Sequence, residues 1–303
     1  MHRIQNFSAI ILAGCLVAAL VSSHQLFGQA PFDVARLDDD YEVREAIYYR
    51  SENEIDEYAR ERCVLDVYYP KGKKDVPVVV WFHGGGLTGG KRSIPEGLKR
   101  QGCVIIAAGY RLSPRVKSPV YIEDSAAAVA WAVNHADEFN GSPKKIIVSG
   151  HSAGAYLTLM LALDKQWLKP YGVDPDQFAG IVPLSAQAIT HFTIRAEREI
   201  ERTQPIIDAM APLYHVRASE LPILLVTGDR ERELLGRYEE NAYLLRMLKE
   251  VGHSKATLYE LQGYDHGGMV EPGIPLLVDF VREVCGEKKE EPKAAPLPNN
   301  PNR

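Results

Sequence analysis

Short runs rich in β-branched and aromatic residues alternate with longer amphipathic stretches from residue 41 to residue 285, and no other feature restricts the fold as much. Strands joined by helix-length connections pair in parallel and are buried on both faces, so the pattern specifies an α/β architecture with helices above and below one sheet. Tyr41–Arg50 and Cys63–Tyr69 alternate apolar and polar side chains, as an antiparallel pair at a sheet edge does. Val76–Phe82, Cys103–Gly109, Lys145–Ser149, Ile181–Ser185, Ile223–Thr227 and Ala256–Glu260 are more uniformly apolar and read as buried strands, which makes a mostly parallel, eight-stranded sheet. Helical spacing predicts helices over Ile94–Gln101, Ile122–Asn140, Ala153–Leu163, Gly236–Val251 and Pro275–Cys285. One interval breaks the rhythm. Ala186–Leu221 holds no clear strand and one short helical stretch, Gln204–Met210, and is read as a small cap inserted over a site.

The ends do not take part in this pattern. Residues 1–30 carry Arg3 near the start, an apolar run Ala9–Val21 too short to span a bilayer comfortably, and small Gly28 and Ala30 before Pro31, which together read as an export signal cleaved after Ala30. Leu12-Ala13-Gly14-Cys15 is a weaker match to a lipidation site at Cys15, because apolar sequence continues after the cysteine. A secreted or periplasmic location follows from this reading. Residues 286–303 lack an apolar period and read as a solvated tail, which leaves residues 31–285 as one large domain.

With 46% hydrophobic and 25% charged residues, the 303-residue chain has the composition of a folded protein. Its net charge of −5 and the absence of any run of five basic residues argue against nucleic acid as a partner. Cys63, Cys103 and Cys285 remain after the leader, with no CxxC or Cys/His spacing, so no metal is expected.

Gly150-His151-Ser152-Ala153-Gly154 lies where the strand ending at Ser149 meets the helix starting at Ala153. A serine between glycines at such a junction forms a nucleophile elbow: the turn forces Ser152 into an unusual backbone conformation, and a side chain at 150 or 154 would collide with neighbouring backbone. The hydroxyl then stands at the positive end of the helix. Upstream, Val78–Phe82 runs into His83-Gly84-Gly85-Gly86, a loop whose backbone can approach a reacting carbonyl closely. Its expected oxyanion donors are the N–H groups of Gly85 and Gly86 together with Ala153, Gly84 substituting if the loop is shifted by one residue. A phosphate-binding loop is the competing reading of these glycines, and the GxxxxGK[ST] frame it requires is not met.

A serine hydroxyl becomes a good nucleophile at neutral pH when a histidine takes its proton and a carboxylate holds that histidine's tautomer. With the order serine, acid, histidine, only His266 suits: it follows the last strand in Gly263-Tyr264-Asp265-His266-Gly267-Gly268, whereas the other histidines fall in the leader, before the serine, in the insertion or at a helix end. The acid is expected at the end of the preceding strand, where Leu224–Gly228 delivers Asp229. Asp265 is the alternative, and Glu231 and Glu233 read as solvated charges that could substitute only in a shifted loop.

In this order and spacing, HGGG, GHSAG, TGD and DHGG resemble the α/β-hydrolase fold esterases, specifically the hormone-sensitive-lipase and BD-FAE-like carbohydrate esterase groups. The similarity runs from about Tyr41 to Val284 and includes Leu65–Pro70, Tyr110–Pro114, Asp124 and Trp131 as packing and loop-anchoring residues. It implies a serine esterase with Ser152 as nucleophile, His266 as base and then acid, Asp229 as orienter, and no cofactor. Many members of these groups carry a two-helix cap before the sheet. Here Asp33–Asp40 is short, which leaves an open site lined by Leu87, Tyr156, His191 and Phe192 and suited to acetyl or feruloyl esters on small molecules or polysaccharides. The same triad on an amide, as in formamidases and peptidases, and an inactive binding protein on this fold are the alternatives.

Overall fold

Alternate residues of the central strands enter opposite cores. Val78, Val80 and Phe82 pack into one hydrophobic cluster and Val79 and Trp81 into the other, and the next strand divides in the same way, with Val104 and Ile106 against Ile105. A strand pleat sends successive side chains to opposite faces, so a run that is apolar at every position needs cover on both sides. The computed structural model, which describes residues 40–51 and 56–286, supplies that cover. The leader, Cys15 and nearly all of the tail lie outside the described residues.

The strands are β1 (Tyr41–Tyr48), β2 (Val64–Pro70), β3 (Val76–Phe82), β4 (Val104–Ala108), β5 (Gly141–His151), β6 (Gly180–Leu184), β7 (Ile223–Gly228) and β8 (Ala256–Leu261). They form one sheet in the order β1-β2-β4-β3-β5-β6-β7-β8. β1 and β2 are antiparallel, as is the β2–β4 pair, and every other pairing is parallel. The alternating edge pair and all eight strands thus follow the sequence pattern, with ends displaced by a few residues.

The helices are α1 (Glu57–Arg62), α2 (Val120–His135), α3 (Ala153–Leu163), α4 (Phe192–Glu197), α5 (Arg237–Glu250) and α6 (Val270–Val284). Every residue of α3 is buried, which matches its lack of a polar face. α6 covers the opposite side of the sheet with Ile274, Leu277, Val278 and Val281, the spacing of one helical stripe. Two helix predictions change. Ile94–Gln101 contains only one 3-10 turn, Glu96–Leu98, preceded by Pro95. Gln204–Met210 is not helical. In the insertion, α4 forms instead, with the His191 ring accepting the Thr193 N–H at its start. The short α1, not foreseen, is capped by Asp56, whose carboxylate accepts the Ala59 N–H at 2.7 Å.

The loops after β3 and β4 support each other. Tyr110 stacks on His83 at 4.4 Å and donates its hydroxyl to the His83 carbonyl, and Ser113 N–H donates to the Leu87 carbonyl. Arg62, at the end of α1, bonds the carbonyls of Tyr110 and Gly90. Beneath them, fully buried Asp124 takes a bidentate pair from Arg111 at 2.8 Å and a contact from Arg50 at 2.7 Å. No disulfide joins the cysteines at 63, 103 and 285.

Candidate active site

Ser152 occupies φ 56°, ψ −113°, between the last residue of β5 and the first of α3. An L-residue reaches this region only under strain, and here the surroundings enforce it. The Ser152 N–H is held by the Leu184 carbonyl at 2.9 Å. A Cβ on Gly154 would stand 2.1 Å from the Phe82 carbonyl oxygen and one on Gly150 2.6 Å from the same atom, so both flanking positions exclude a side chain.

The Ser152 hydroxyl lies 2.8 Å from His266 Nε2, and His266 Nδ1 lies 2.9 Å from Glu233 Oε2. This hydrogen-bonded chain is the arrangement that removes a proton from a serine during attack and stabilises the resulting imidazolium. Burial works against a charge on Glu233. The hydrogen bonds it accepts from His266, from the N–H groups of Gly228 and Leu234 and from Ser185 outweigh that penalty and hold its carboxyl down to about 2. It is therefore ionised wherever the histidine can act as a base.

The carboxylate that meets His266 is thus Glu233 and not the expected Asp229. The Asp229 carboxylate is engaged between two loops: Oδ1 accepts the Glu231 N–H of its own turn at 2.9 Å, and Oδ2 accepts the Gly263 N–H of the loop after β8 at 2.7 Å. The chain after β7 curls into one turn, with the N–H groups of Arg232 and Glu233 on the Asp229 carbonyl, and this returns the longer Glu233 side chain beneath the strand end. Gly228 makes room for it: a Cβ there would lie 3.1 Å from Glu233 Oε1 and 2.6 Å from the Tyr264 carbonyl oxygen. Asp265 is occupied elsewhere, accepting the Gly268 N–H at 2.7 Å. The nearest sequence signal for Glu233 is the glycine at 228, which permits a close approach without naming what approaches.

Two further residues complete the support of His266. Ser185, fully buried and at φ 55°, places its hydroxyl 2.8 Å from His266 Nδ1, beside the Glu233 carboxylate. His151 donates its Nε2–H to the His266 carbonyl at 2.8 Å, which ties the histidine loop to the elbow.

The glycine loop lies against the nucleophile. A Cβ on Gly84 would be 3.3 Å from Ser152 Cβ, and Gly85, at φ 115°, is pressed to within 2.2 Å of the Gly89 carbonyl oxygen at the position a Cβ would take. Gly86 carries φ 63°. Ala153 is the first residue of α3, where an N–H has no intrahelical acceptor and is available to an oxyanion.

Of the four residues expected to line the site, only Phe192 reaches it: its ring lies 3.1 Å from the place of a Gly86 Cβ. Leu87 is fully buried in the core, its backbone at φ 61°. Tyr156 is fully buried and donates its hydroxyl to the Met210 carbonyl at 2.8 Å, which anchors the insertion to α3. His191 is also fully buried, packed between Tyr156 and Phe192. These three support the site from behind. The insertion itself reaches the glycine loop, where the Thr193 hydroxyl donates to the Gly86 carbonyl.

Two histidines around the elbow predict an acid sensitivity. Burial, the largest influence on each, pushes His83 and His151 down to about 4 from an ordinary 6.5. Between these pH values the unfolded chain binds the protons and the folded chain does not. Their contribution to stability is therefore complete above about pH 6.5 and is lost as the pH falls towards 4, at a cost on the order of 3 kcal/mol for each. Calorimetry is expected to show Tm falling through this interval, and a constant Tm from pH 6.5 to 4 would contradict the burial of both imidazoles.

In sequence and fold the chain is similar to esterases. The BD-FAE family model matches residues 65–179, which include the glycine loop and the elbow. The chain is 28% identical over 229 residues to the esterase LipC of Mycobacterium tuberculosis, a match covering 67% of this chain and 56% of LipC. It is 36% identical over 157 residues to the carboxylesterase NlhH of the same organism, covering 49% of this chain and 48% of NlhH. The chain spans about half the length of these curated relatives. A truncated carbohydrate esterase from gut microbiota superposes with a TM-score of 0.68 at 17% identity, covering 82% of this chain and 98% of that one. The fold is that of the α/β hydrolases.

Proposed function

We propose that this α/β-hydrolase-fold protein, with its BD-FAE match across the glycine loop and elbow, is a serine-dependent carboxylic-ester hydrolase. The observation that carries the reading is the Ser152–His266–Glu233 hydrogen-bonded chain at a strained elbow. Ser152 Oγ attacks the ester carbonyl as His266 Nε2 takes its proton, and Glu233 holds the Nδ1–H and balances the imidazolium. The carbonyl oxygen becomes an oxyanion facing the N–H groups of Gly85, Gly86 and Ala153. Collapse breaks the C–O bond and His266 returns the proton to the departing alcohol. A water molecule, deprotonated by the same imidazole, then attacks the acyl-enzyme and releases the carboxylic acid.

The substrate reading is an acetyl or feruloyl ester carried by a carbohydrate, acted on after export directed by residues 1–30. It is supported by the likeness in fold to a carbohydrate esterase and by the BD-FAE match. The test is hydrolysis of p-nitrophenyl acetate, butyrate and octanoate beside acetate and ferulate release from xylan. Short-chain preference with release from the polymer is the expected result. Aryl-ester turnover without polymer release would restrict the protein to small esters. Activity on formanilide or peptides without ester turnover would replace the ester reading with the amide one.

A further inference from the structure

The described residues contain a group of buried nitrogen donors that meet no acceptor in the protein, and they adjoin the active site. Arg237, the first residue of α5, is fully buried, and its Nε and both terminal nitrogens have no hydrogen-bond partner. Arg195 of α4, 2% exposed, gives one bond from Nη1 to the Gln204 carbonyl, and its Nε is unmet. His191 accepts the Thr193 N–H through Nδ1, which puts its proton on Nε2, and that buried N–H is also without an acceptor. These groups are close enough to influence one another: His191 feels the charges of Arg237 and Arg195, and Arg237 those of Arg195, Arg202, Glu240 and Glu233. Unmet buried donors are costly, and an unpaired buried guanidinium more so, so a cluster of them is seldom kept for stability alone.

The cluster is built into the wall of the site. The His191 ring packs at 4.3 Å on Phe192, which touches the Gly86 position of the glycine loop. Exposed Arg202 holds its guanidinium 4.9 Å from the centre of the Phe192 ring, so positive charge runs from solvent at Arg202 to the interior at Arg195 and Arg237. Two acids oppose it, and both are engaged elsewhere. Glu233 serves His266, while Glu240 takes the Ala188 N–H at 2.8 Å and contacts from Ile189 N–H and Gln187. The charge of the arginines is therefore incompletely met, and a low-dielectric wall lets it act at longer range than it would in water.

We propose that this arginine cluster selects esters bearing a carboxylate near the scissile bond, docked against Arg202 at the Phe192 ring with Arg195 and Arg237 as the charge behind it. The inference rests on the ester-hydrolase reading and narrows its substrate class. The carboxylate can belong to the acyl group, as in a dicarboxylic half-ester, or to the alcohol, as in an acetylated uronic acid, and the experiment separates these sources.

The test compares kcat/KM for charge-matched pairs: p-nitrophenyl hemisuccinate against its methyl-capped neutral form, and an O-acetylated methyl glucuronide against the corresponding glucoside. The wild-type protein is expected to favour the anion at least tenfold in one pair, which also identifies the source. In Arg202→Met, an exposed position whose replacement does not burden folding, that ratio is expected to fall to within about threefold of unity, with a similar fall in Arg237→Met where that variant folds. The ratio cancels any general loss of catalysis. Anionic preference below tenfold in both pairs overturns the proposal, as does a preference that stays above threefold in Arg202→Met. Failure of the wild-type protein to hydrolyse any of the four esters, anionic or neutral, would instead count against the ester-hydrolase reading.

Discussion

Ser152→Ala is expected to lower kcat for p-nitrophenyl acetate by on the order of 10⁴-fold or more, because the variant keeps the glycine-loop donors and the binding surface and loses the atom that forms the acyl-enzyme. The loss should not come from unfolding. The bond that fixes residue 152 is its main-chain N–H to the Leu184 carbonyl, and the helix that follows is fully buried whatever side chain precedes it. A fluorophosphonate probe is expected to label the wild-type protein at Ser152 and to leave the alanine variant unmarked. Activity above about a tenth of wild type in Ser152→Ala would exclude the covalent route.

Glu233→Gln and Asp229→Asn separate the acid found in the structure from the one expected at the strand end. In Glu233→Gln the new amide oxygen could still accept the Gly228 N–H, but an amide beside His266 Nδ1 no longer balances the imidazolium and can favour the wrong tautomer. A loss in kcat on the order of 10³–10⁴ is expected, with KM little changed. Asp229→Asn removes charge from a side chain that accepts only from Glu231 and Gly263, and activity should stay within a few fold of wild type. Circular dichroism checks that both variants fold. The opposite ranking, with Asp229→Asn inactive and Glu233→Gln active, would restore the strand-end carboxylate to the role.

What could be read from the chain alone was local. The eight strands and the edge pair appear in the side-chain pattern because burial on one face or two leaves different periods. The elbow was legible because Gly150 and Gly154 answer backbone collisions around Ser152, and the glycine loop because Gly85 must clear the Gly89 carbonyl a few residues away. His266 emerged from chain order and from its place after the last strand. The folded chain alone decided which carboxylate meets it. Asp229 and Glu233 occupy one loop, and the choice depended on the N–H groups of Glu231 and Gly263 that engage the first and on the space at Gly228 for the second. The insertion was equally non-local. Gln204–Met210 is not helical, α4 forms earlier in the insertion, and Leu87, Tyr156 and His191 turn inward while Phe192 keeps its contact with the glycine loop. Sequence by itself determined the scaffold, the serine elbow and the histidine that meets it, because these follow from backbone sterics and strand order. Tertiary structure decided which carboxylate meets the histidine, the lining and the burial of Arg195 and Arg237, because each depends on where side chains distant in sequence meet in a low-dielectric interior.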